Sequence, residues 1–237
     1  MMSNVTLQWL GHSTFIATSP EGARILIDPW VHSNPACPAH CHNPAPIELI
    51  LVTHGHGDHI SDCPSIARST GATVVGILEL CHWLKAQGVS KLLEMNKGGT
   101  VDAGPVKVTM VHADHSGGVI DGNNVVHYAG EPVGFIVHFS NGLRLWHTGD
   151  TAIFGDMALI ADIYKPDVVL LPIGGHYVMS PVEASKAVRL TGIKRIVPMH
   201  FGTFPVLSGT PDELARLTAD IDGLQILAMK PGDTLTL

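Results

Sequence analysis

The sequence predicts an α/β fold in which two similar halves each supply a sheet and its outer helices. Strands grouped in hairpins open the chain, and strands alternate with helices further on. This order of elements is typical of a sheet core covered by helices. A displacement of 120 positions also aligns two regions without gaps, so that Arg24 falls on Arg144 and Pro46 on Pro166. Such self-similarity favours an internal duplication, and 237 residues suit a single domain, 1–237.

The first half begins with three strands and continues with strand–helix units. Apolar runs predict strands at 5–10, 14–19 and 24–28, separated by turns at Gly11 and Gly22. A Pro-rich loop at 30–46 leads into a buried strand at 47–52. Beyond it the pattern predicts helices at 61–71 and 78–88 and strands at 72–76 and 92–95.

The second half starts with a strand at 106–112 and a long loop at 113–132. The length of this loop and its Gly, Asn and Asp content are typical of a lid or binding loop. Asn141-Gly142 is a strong hairpin signal between strands at 134–139 and 143–147. A helix at 155–164 and an apolar strand at 167–171 follow.

Two helices near the end of the chain are predicted from their first residues. Ser180 is an N-cap, Pro181 occupies the first helical position and Glu183 completes a capping box. Thr210 and Glu213 repeat this pattern before the last helix. The predicted strands around these helices are 195–199, 224–229 and 234–237.

The composition is typical of a compact globular protein, because 15% of the residues are charged and 45% are hydrophobic. The net charge is −7 and no Lys/Arg cluster is present, which argues against non-specific nucleic-acid binding. No apolar run approaches the ~18 residues of a membrane span, and residues 1–4 do not resemble a secretory signal. We therefore expect a cytoplasmic protein with a small-molecule substrate and without nucleic-acid or membrane partners. The possibility that it forms a homo-oligomer stays open.

The run His54, His56, Asp58 and His59 places four ligand-type side chains directly after the apolar strand 47–52. Imidazole and carboxylate are the ligands expected for zinc or a similar divalent metal. The glycines between them allow a tight turn, so that these side chains can face a common point. His54 and His56 could hold one ion, and Asp58 and His59 would then point toward a second. The alternative, a polar loop that is merely rich in histidine, is disfavoured by the spacing.

Further ligands should lie at strand ends, because rigid elements hold metal geometry best. Three side chains meet this condition, His115, Asp150 and His200, each of which follows a predicted strand. Together with the histidine cluster they complete six or seven ligands, which is enough for two ions.

The loop from Cys37 to His42 carries a second group of ligand-type residues, Cys37, His40, Cys41 and His42. These residues could bind a metal on their own. A Pro-stiffened surface loop is the favoured interpretation, because no second cysteine pair completes a tetrahedral site. The four cysteines of the chain do not suggest a disulfide framework.

Taken together, these motifs resemble those of the metallo-β-lactamase superfamily. More narrowly, they are similar to a group of small metal-dependent hydrolases related to the ascorbate-phosphate lactonases. The segments that carry the resemblance are 11–13, 26–29, 53–59, 115–116, 148–150, 171–176 and 198–205. The sequence departs from the family pattern at the Cys37–His42 loop and at His112. The departure in the loop concerns the residues that would contact substrate on that side of the site, and it does not concern the metal ligands.

The resemblance implies a four-layer αββα sandwich with two metals on one edge. It implies that His54, His56 and His115 hold the first metal, that Asp58, His59 and His200 hold the second, and that Asp150 bridges them. His112 competes with His115 for the third position, and we prefer His115 because Ser116 follows it as in the family motif.

The expected activity is that of a metal-dependent hydrolase, in which a hydroxide shared by two divalent ions attacks a small ester, lactone or phosphodiester. Zinc is the first expectation for the metal, with manganese, iron and nickel as alternatives. Asp58 would ligate the second metal and orient the hydroxide. The alternative functions are an iron-dependent oxidoreductase of persulfide or oxygen chemistry and a non-catalytic metal-stabilised scaffold. The complete second ligand set favours hydrolysis over both.

Two further histidines have open roles. His176 follows an apolar strand at the position that the internal repeat pairs with His56. It could be a relic of a ligand, a residue that binds substrate or protonates the leaving group, or a structural histidine. His12 could line the pocket or support a metal ligand by a hydrogen bond.

Overall fold

The computed structural model describes residues 4–237, which form two seven-stranded sheets, a small two-stranded sheet and helices. The strands of the first sheet, in spatial order, are β16 (Thr234–Thr236), β1 (Thr6–Trp9), β2 (Phe15–Thr18), β3 (Arg24–Ile27), β4 (Leu49–Leu51), β5 (Thr73–Ile77) and β6 (Leu92–Met95). Those of the second are β7 (Thr100–Asp102), β8 (Lys107–His112), β11 (Val133–His138), β12 (Arg144–His147), β13 (Val168–Pro172), β14 (Arg195–Met199) and β15 (Gln225–Ile226). Strands β9 (Val119–Ile120) and β10 (Val126–His127) form the small sheet.

The two large sheets have the same pattern of strand directions. In each, three antiparallel pairs are followed by three parallel pairs, counted from β16 in the first sheet and from β7 in the second. Strands β3 and β12 occupy the same place in their sheets, at Arg24–Ile27 and Arg144–His147. The prediction of two similar halves is therefore confirmed, with the addition that the last strand, β16, returns to the first sheet.

Alternation of side chains along the strands places the sheets face to face with helices outside. Phe135 and Val137 of β11 join the hydrophobic cluster that contains the first sheet. Ile136, between them, joins a separate cluster with helices α4 (Met157–Tyr164), α5 (Pro181–Thr191) and α6 (Pro211–Leu217). Successive strand residues point to opposite faces of a sheet, so the second sheet is buried on both faces.

Helices α2 (Cys63–Thr70) and α3 (Leu78–Ala86) cover the first sheet. Ile66 of α2 and Leu80 and Leu84 of α3 belong to the cluster of that sheet, and α3 contacts β5 and β6. The layers therefore follow the order helix, sheet, sheet, helix, which confirms the predicted αββα sandwich. No helix within residues 4–237 is long and apolar enough to cross a membrane.

The structure differs from the sequence-based elements in a few places. A one-turn helix, α1 (Gly57–Ile60), lies inside the histidine cluster, where a leading glycine disfavours helix in sequence patterns. The loop at 113–132 contains the β9–β10 hairpin, and β7 was not predicted. Ser180 forms the full capping box with Glu183, whereas Thr210 only accepts the Glu213 N–H.

Candidate metal centre

The predicted ligands lie at the carboxyl ends of strands. His54 follows β4, and His115, Asp150 and His200 follow β8, β12 and β14. Strands β8, β12 and β14 run in the same direction in the second sheet, because two antiparallel pairings and two parallel pairings connect them. Their carboxyl ends therefore meet at one edge of the sheet.

The structure brings all seven predicted ligands together in overlapping groups. His54, His56 and His115 form one group whose nitrogen atoms lie within 4.8 Å of one another. A second group has the same spread and contains Asp58, His59, His200 and, in addition, His12. A third group joins His54, His59 and Asp150. The third group overlaps the first through His54 and the second through His59, so Asp150 lies between them.

One carboxylate oxygen stands at the centre of this arrangement. Asp150 Oδ2 lies 2.9 Å from His200 Nε2, 3.2 Å from His59 Nε2 and 3.8 Å from His115 Nε2. Within the first group, His54 Nε2 lies 3.0 Å from His56 Nδ1. These distances bring nitrogens of both groups close to a single oxygen, as a shared bridging ligand requires.

Several buried nitrogens at the site have no hydrogen-bond partner among the described residues. They are His59 Nε2 and both ring nitrogens of His200. His59 Nε2 and His200 Nε2 lie close to Asp150 Oδ2 but form no hydrogen bond with it. A buried polar atom without a partner costs about 1–3 kcal/mol, and it calls for an explanation such as an ion. The donor set and its unpartnered nitrogens fit a divalent metal.

An outer network sets the orientation of two of the histidine rings. The Asp28 carboxylate accepts the Thr53 N–H at 2.8 Å, the Thr53 hydroxyl at 2.7 Å and His59 Nδ1–H at 2.8 Å. Thr53 Oγ1 also lies 2.9 Å from His54 Nδ1. With Nδ1 engaged in this way, the Nε2 lone pairs of His54 and His59 are free for a metal. Thr53 was not predicted, because only the folded chain brings it to Asp28.

His12 is one of the two histidines whose roles the sequence left open. It is fully buried in the turn between β1 and β2. Its Nε2 lies 3.0 Å from Asp58 Oδ2 and its Nδ1 lies 3.0 Å from Thr203 Oγ1. The His200 N–H donates to the His12 carbonyl at 3.0 Å. His12 therefore touches two of the predicted ligands, and no role was predicted for Thr203.

The carboxylates and histidines of the site shift each other's protonation. Burial alone would raise the pKa of Asp150, but the adjacent His200 and His59 hold this pKa well below its usual range. Burial would lower the pKa of His59, yet the carboxylates around it, Asp150 first, raise it well above its usual value. Burial lowers the pKa of His54. The metal-free site thus contains an ionised carboxylate among rings of mixed protonation.

We expect the metal-free protein to lose stability as the pH falls from 6.5 to about 4. Burial lowers the pKa of His12 from 6.5 to about 4, so in this window the unfolded chain binds a proton that the folded chain does not. Each such histidine costs up to about 1.4 kcal/mol per pH unit, and burial also lowers the pKa of His54 and His147. Urea unfolding midpoints in a chelator at pH 6.5 and 4.5 measure the effect. Equal midpoints at the two pH values would contradict this prediction. The control variant His82→Asn, at an exposed position, should show the same pH dependence as the wild type.

Two other predicted groups lie outside the ligand clusters. His112 is exposed, 3.3 Å from Lys97 Nζ, and its ring packs edge-on to Phe154. Its absence from the ligand groups of residues 4–237 supports the preference for His115. The loop from Cys37 to His42 also supplies no such group within the described chain; its cysteines are buried and His42 bonds the Cys37 carbonyl. This agrees with a Pro-stiffened loop.

His176 lies on a loop beside the centre. The Met179 N–H donates to the Thr151 carbonyl, next to Asp150. An ideal Cβ on Gly174 would lie 2.0 Å from the His200 carbonyl oxygen, so only glycine permits this close approach. His176 itself is exposed, has a φ of 58° and packs edge-on to Tyr177. It does not belong to any ligand group of residues 4–237, so the structure gives no support for a role as a ligand.

Comparison with known proteins agrees with this fold. Residues 23–201 match the model of the β-lactamase superfamily domain. A protein of Rubrobacter xylanophilus is 46% identical over 236 residues, which cover 99% of this chain and 98% of the relative. A protein of Koribacter versatilis is 47% identical over 233 residues, with 98% of each chain covered. Both are named UPF0173 metal-dependent hydrolases.

A solved structure extends the likeness to three dimensions. It is described as a novel metallo hydrolase from the hyperthermophilic archaeon Ignicoccus hospitalis. It superposes with a TM-score of 0.87 at 32% identity and covers 99% of both chains. With the family match and the relatives above, this similarity shows that the chain belongs to the β-lactamase superfamily and, within it, to the UPF0173 metal-dependent hydrolases.

Proposed function

We propose that the chain hydrolyses a small ester, lactone or phosphodiester by means of two divalent metal ions. The observation that carries this proposal is the buried Asp150 carboxylate, which lies between two complete sets of ligands whose imidazoles include unpartnered nitrogens. Mononuclear chemistry would need only one of these sets.

In this proposal each set would hold one ion and Asp150 would contribute to both. The first set is His54, His56 and His115, and the second is Asp58, His59 and His200. Nitrogen and carboxylate donors of this kind suit zinc first, and manganese, iron and nickel also accept them. When bound, the ions would act as Lewis acids and lower the pKa of a water from ~15.7 toward ~7.

The side chain of Asp58 is suited to orient the attacking water. It is 29% exposed, whereas that of Asp150 is 3% exposed, so Asp58 is the carboxylate that water and substrate can reach. Burial would raise the pKa of Asp58, but His59 and His12 hold it well below its usual range. Asp58 is thus an acceptor that stays ionised at neutral pH and can align a proton of the water.

A substrate screen with metal-reconstituted protein tests the proposal. Purified protein is stripped with a chelator, reloaded with zinc, manganese, nickel or iron, and assayed with lactones, aryl esters and bis-p-nitrophenyl phosphate. Two ions per chain and metal-dependent turnover of one of these classes are expected. A single iron per chain together with oxygen consumption would replace this proposal by the oxidoreductase. Bound metal without turnover of any class would favour the scaffold.

His176→Ala tests the role of the exposed histidine. If His176 binds substrate or donates a proton to the leaving group, its loss should lower kcat/KM by about 10²–10⁴-fold, the usual contribution of a general acid. The metal content should stay unchanged, because His176 stands apart from the ligand groups of residues 4–237. Steady-state kinetics and metal analysis of the same samples decide the matter. Loss of an ion would instead make His176 a ligand, and wild-type kinetics would make it structural.

A further inference from the structure

His12 contacts the second ligand set by two separate routes. Its imidazole meets Asp58 through Nε2, at 3.0 Å. Its carbonyl accepts the His200 N–H, also at 3.0 Å. The rings of His12 and His200 are 3.8 Å apart between centroids. No other residue within 4–237 hydrogen-bonds the Asp58 carboxylate.

The direction of these hydrogen bonds follows from their chemistry. An ionised carboxylate only accepts, so the Nε2–H of His12 donates to Asp58 Oδ2. In a neutral ring, Nδ1 must then accept, and its partner at 3.0 Å is the Thr203 hydroxyl, which can donate. The Asp58 carboxylate therefore selects the Nε2–H tautomer of His12, and the Thr203 hydroxyl satisfies the remaining Nδ1 acceptor and holds the ring in place.

The ring of His12 is also held by packing. Trp30 and Phe204 approach it edge-on, with centroids 5.1 and 5.9 Å away. Both His12 and His200 have a positive φ, 55° and 56°, a conformation that non-glycine residues adopt only where the surroundings enforce it. The bond between the His12 carbonyl and the His200 N–H joins these two unusual backbone positions.

The first ligand set depends on different contacts. His54 is oriented by Thr53, which in turn bonds Asp28. His56 Nε2 lies 3.3 Å from the Ser116 hydroxyl. Neither chain of contacts includes His12 or Thr203, so a change at these two residues should act on one half of the centre.

We infer that His12, with its ring held by Thr203, is a positioning residue that holds Asp58 and His200 in place for the second metal ion. The inference rests on the proposed two-ion function. The bond from His12 to Oδ2 leaves Asp58 Oδ1 without a partner among the described residues, and therefore available to an ion. His12 acts through Asp58 and His200 and is not itself assigned as a ligand.

Metal affinity measured site by site tests the inference. Removing a hydrogen-bond partner of a metal ligand typically weakens binding by about 10–100-fold. We expect His12→Leu and Thr203→Val to raise the Kd of the second zinc ion by such a factor and to leave the first unchanged, as measured by competition with a chelator. His12→Gln, which retains an N–H donor, and Thr203→Ser, which retains the hydroxyl, should restore most of the affinity. Thr191→Val is a matched control, because this half-buried threonine bonds only within its own helix.

A second readout needs no metal. Long-range proton–nitrogen NMR spectra of the metal-free protein report which ring nitrogen of His12 carries the proton. The Nε2–H tautomer is expected, because the ionised Asp58 carboxylate accepts from it. Because Thr203 is a loop residue, the metal affinity of Thr203→Val remains informative even if His12→Leu does not fold.

The outcomes separate this inference from the function on which it rests. An unchanged second-site Kd in Thr203→Val and His12→Leu, equal weakening of both sites, or an Nδ1–H tautomer in the wild type would overturn the inference alone. A wild-type protein that binds a single ion would overturn the inference and the two-ion function together.

Discussion

Asp150→Asn is expected to remove both metal ions and to lower turnover by about a thousandfold or more. The carboxylate is buried between the two ligand sets and lies within 4 Å of His59, His115 and His200. An amide is neutral, so it would leave two dications without their shared counter-charge. Bound metals contribute several kcal/mol of transition-state stabilisation, and ~4 kcal/mol corresponds to about a thousandfold in rate.

Metal content by mass spectrometry and kcat/KM on the substrate found in the screen measure this effect. Asp114→Asn is the matched control, because Asp114 lies one residue before His115 but is exposed and stands outside the ligand groups of residues 4–237. It should keep both ions and near-wild-type turnover. Two ions and full activity in Asp150→Asn would show that this carboxylate is not a bridging ligand.

Asp58→Ala and His200→Ala are expected to remove the second ion selectively. Each takes one donor from the second set and leaves His54, His56 and His115 intact. We expect one retained ion and a fall in turnover of about 10²–10³-fold, as for the loss of one group that stabilises developing charge. The fold should survive in Asp58→Ala, because this side chain is partly exposed on a one-turn helix.

Zinc stoichiometry, circular dichroism and kinetics on the same preparations check this prediction. His56→Ala provides the comparison, since it should weaken the first ion instead. Full turnover in either second-set variant would contradict the two-metal mechanism. If His200→Ala unfolds, Asp58→Ala alone tests the two-metal mechanism. Asp58 is more exposed than His200, so its replacement should disturb the fold less.

Much of the fold could be read from local sequence. Ser180 and Glu183 form the capping box that their spacing predicts, because the partners of a cap are three residues apart. Asn141-Gly142 joins β11 and β12 as predicted, and β3 and β12 occupy equivalent places at the offset that the repeat indicated. The one-turn helix α1 escaped prediction, because four residues that begin with glycine carry too little periodicity.

The sequence by itself determined which side chains could bind metal and that they follow strands, because residue chemistry and apolar runs are local properties. It also left His12 and His176 with equal standing. The tertiary structure decided between them: it placed His12 against Asp58 and Thr203, which lie 46 and 191 positions away, and left His176 exposed on its loop. Hydrogen bonds between residues so far apart in sequence depend on how the two sheets pack together. This packing cannot be predicted from residue spacing within a short segment.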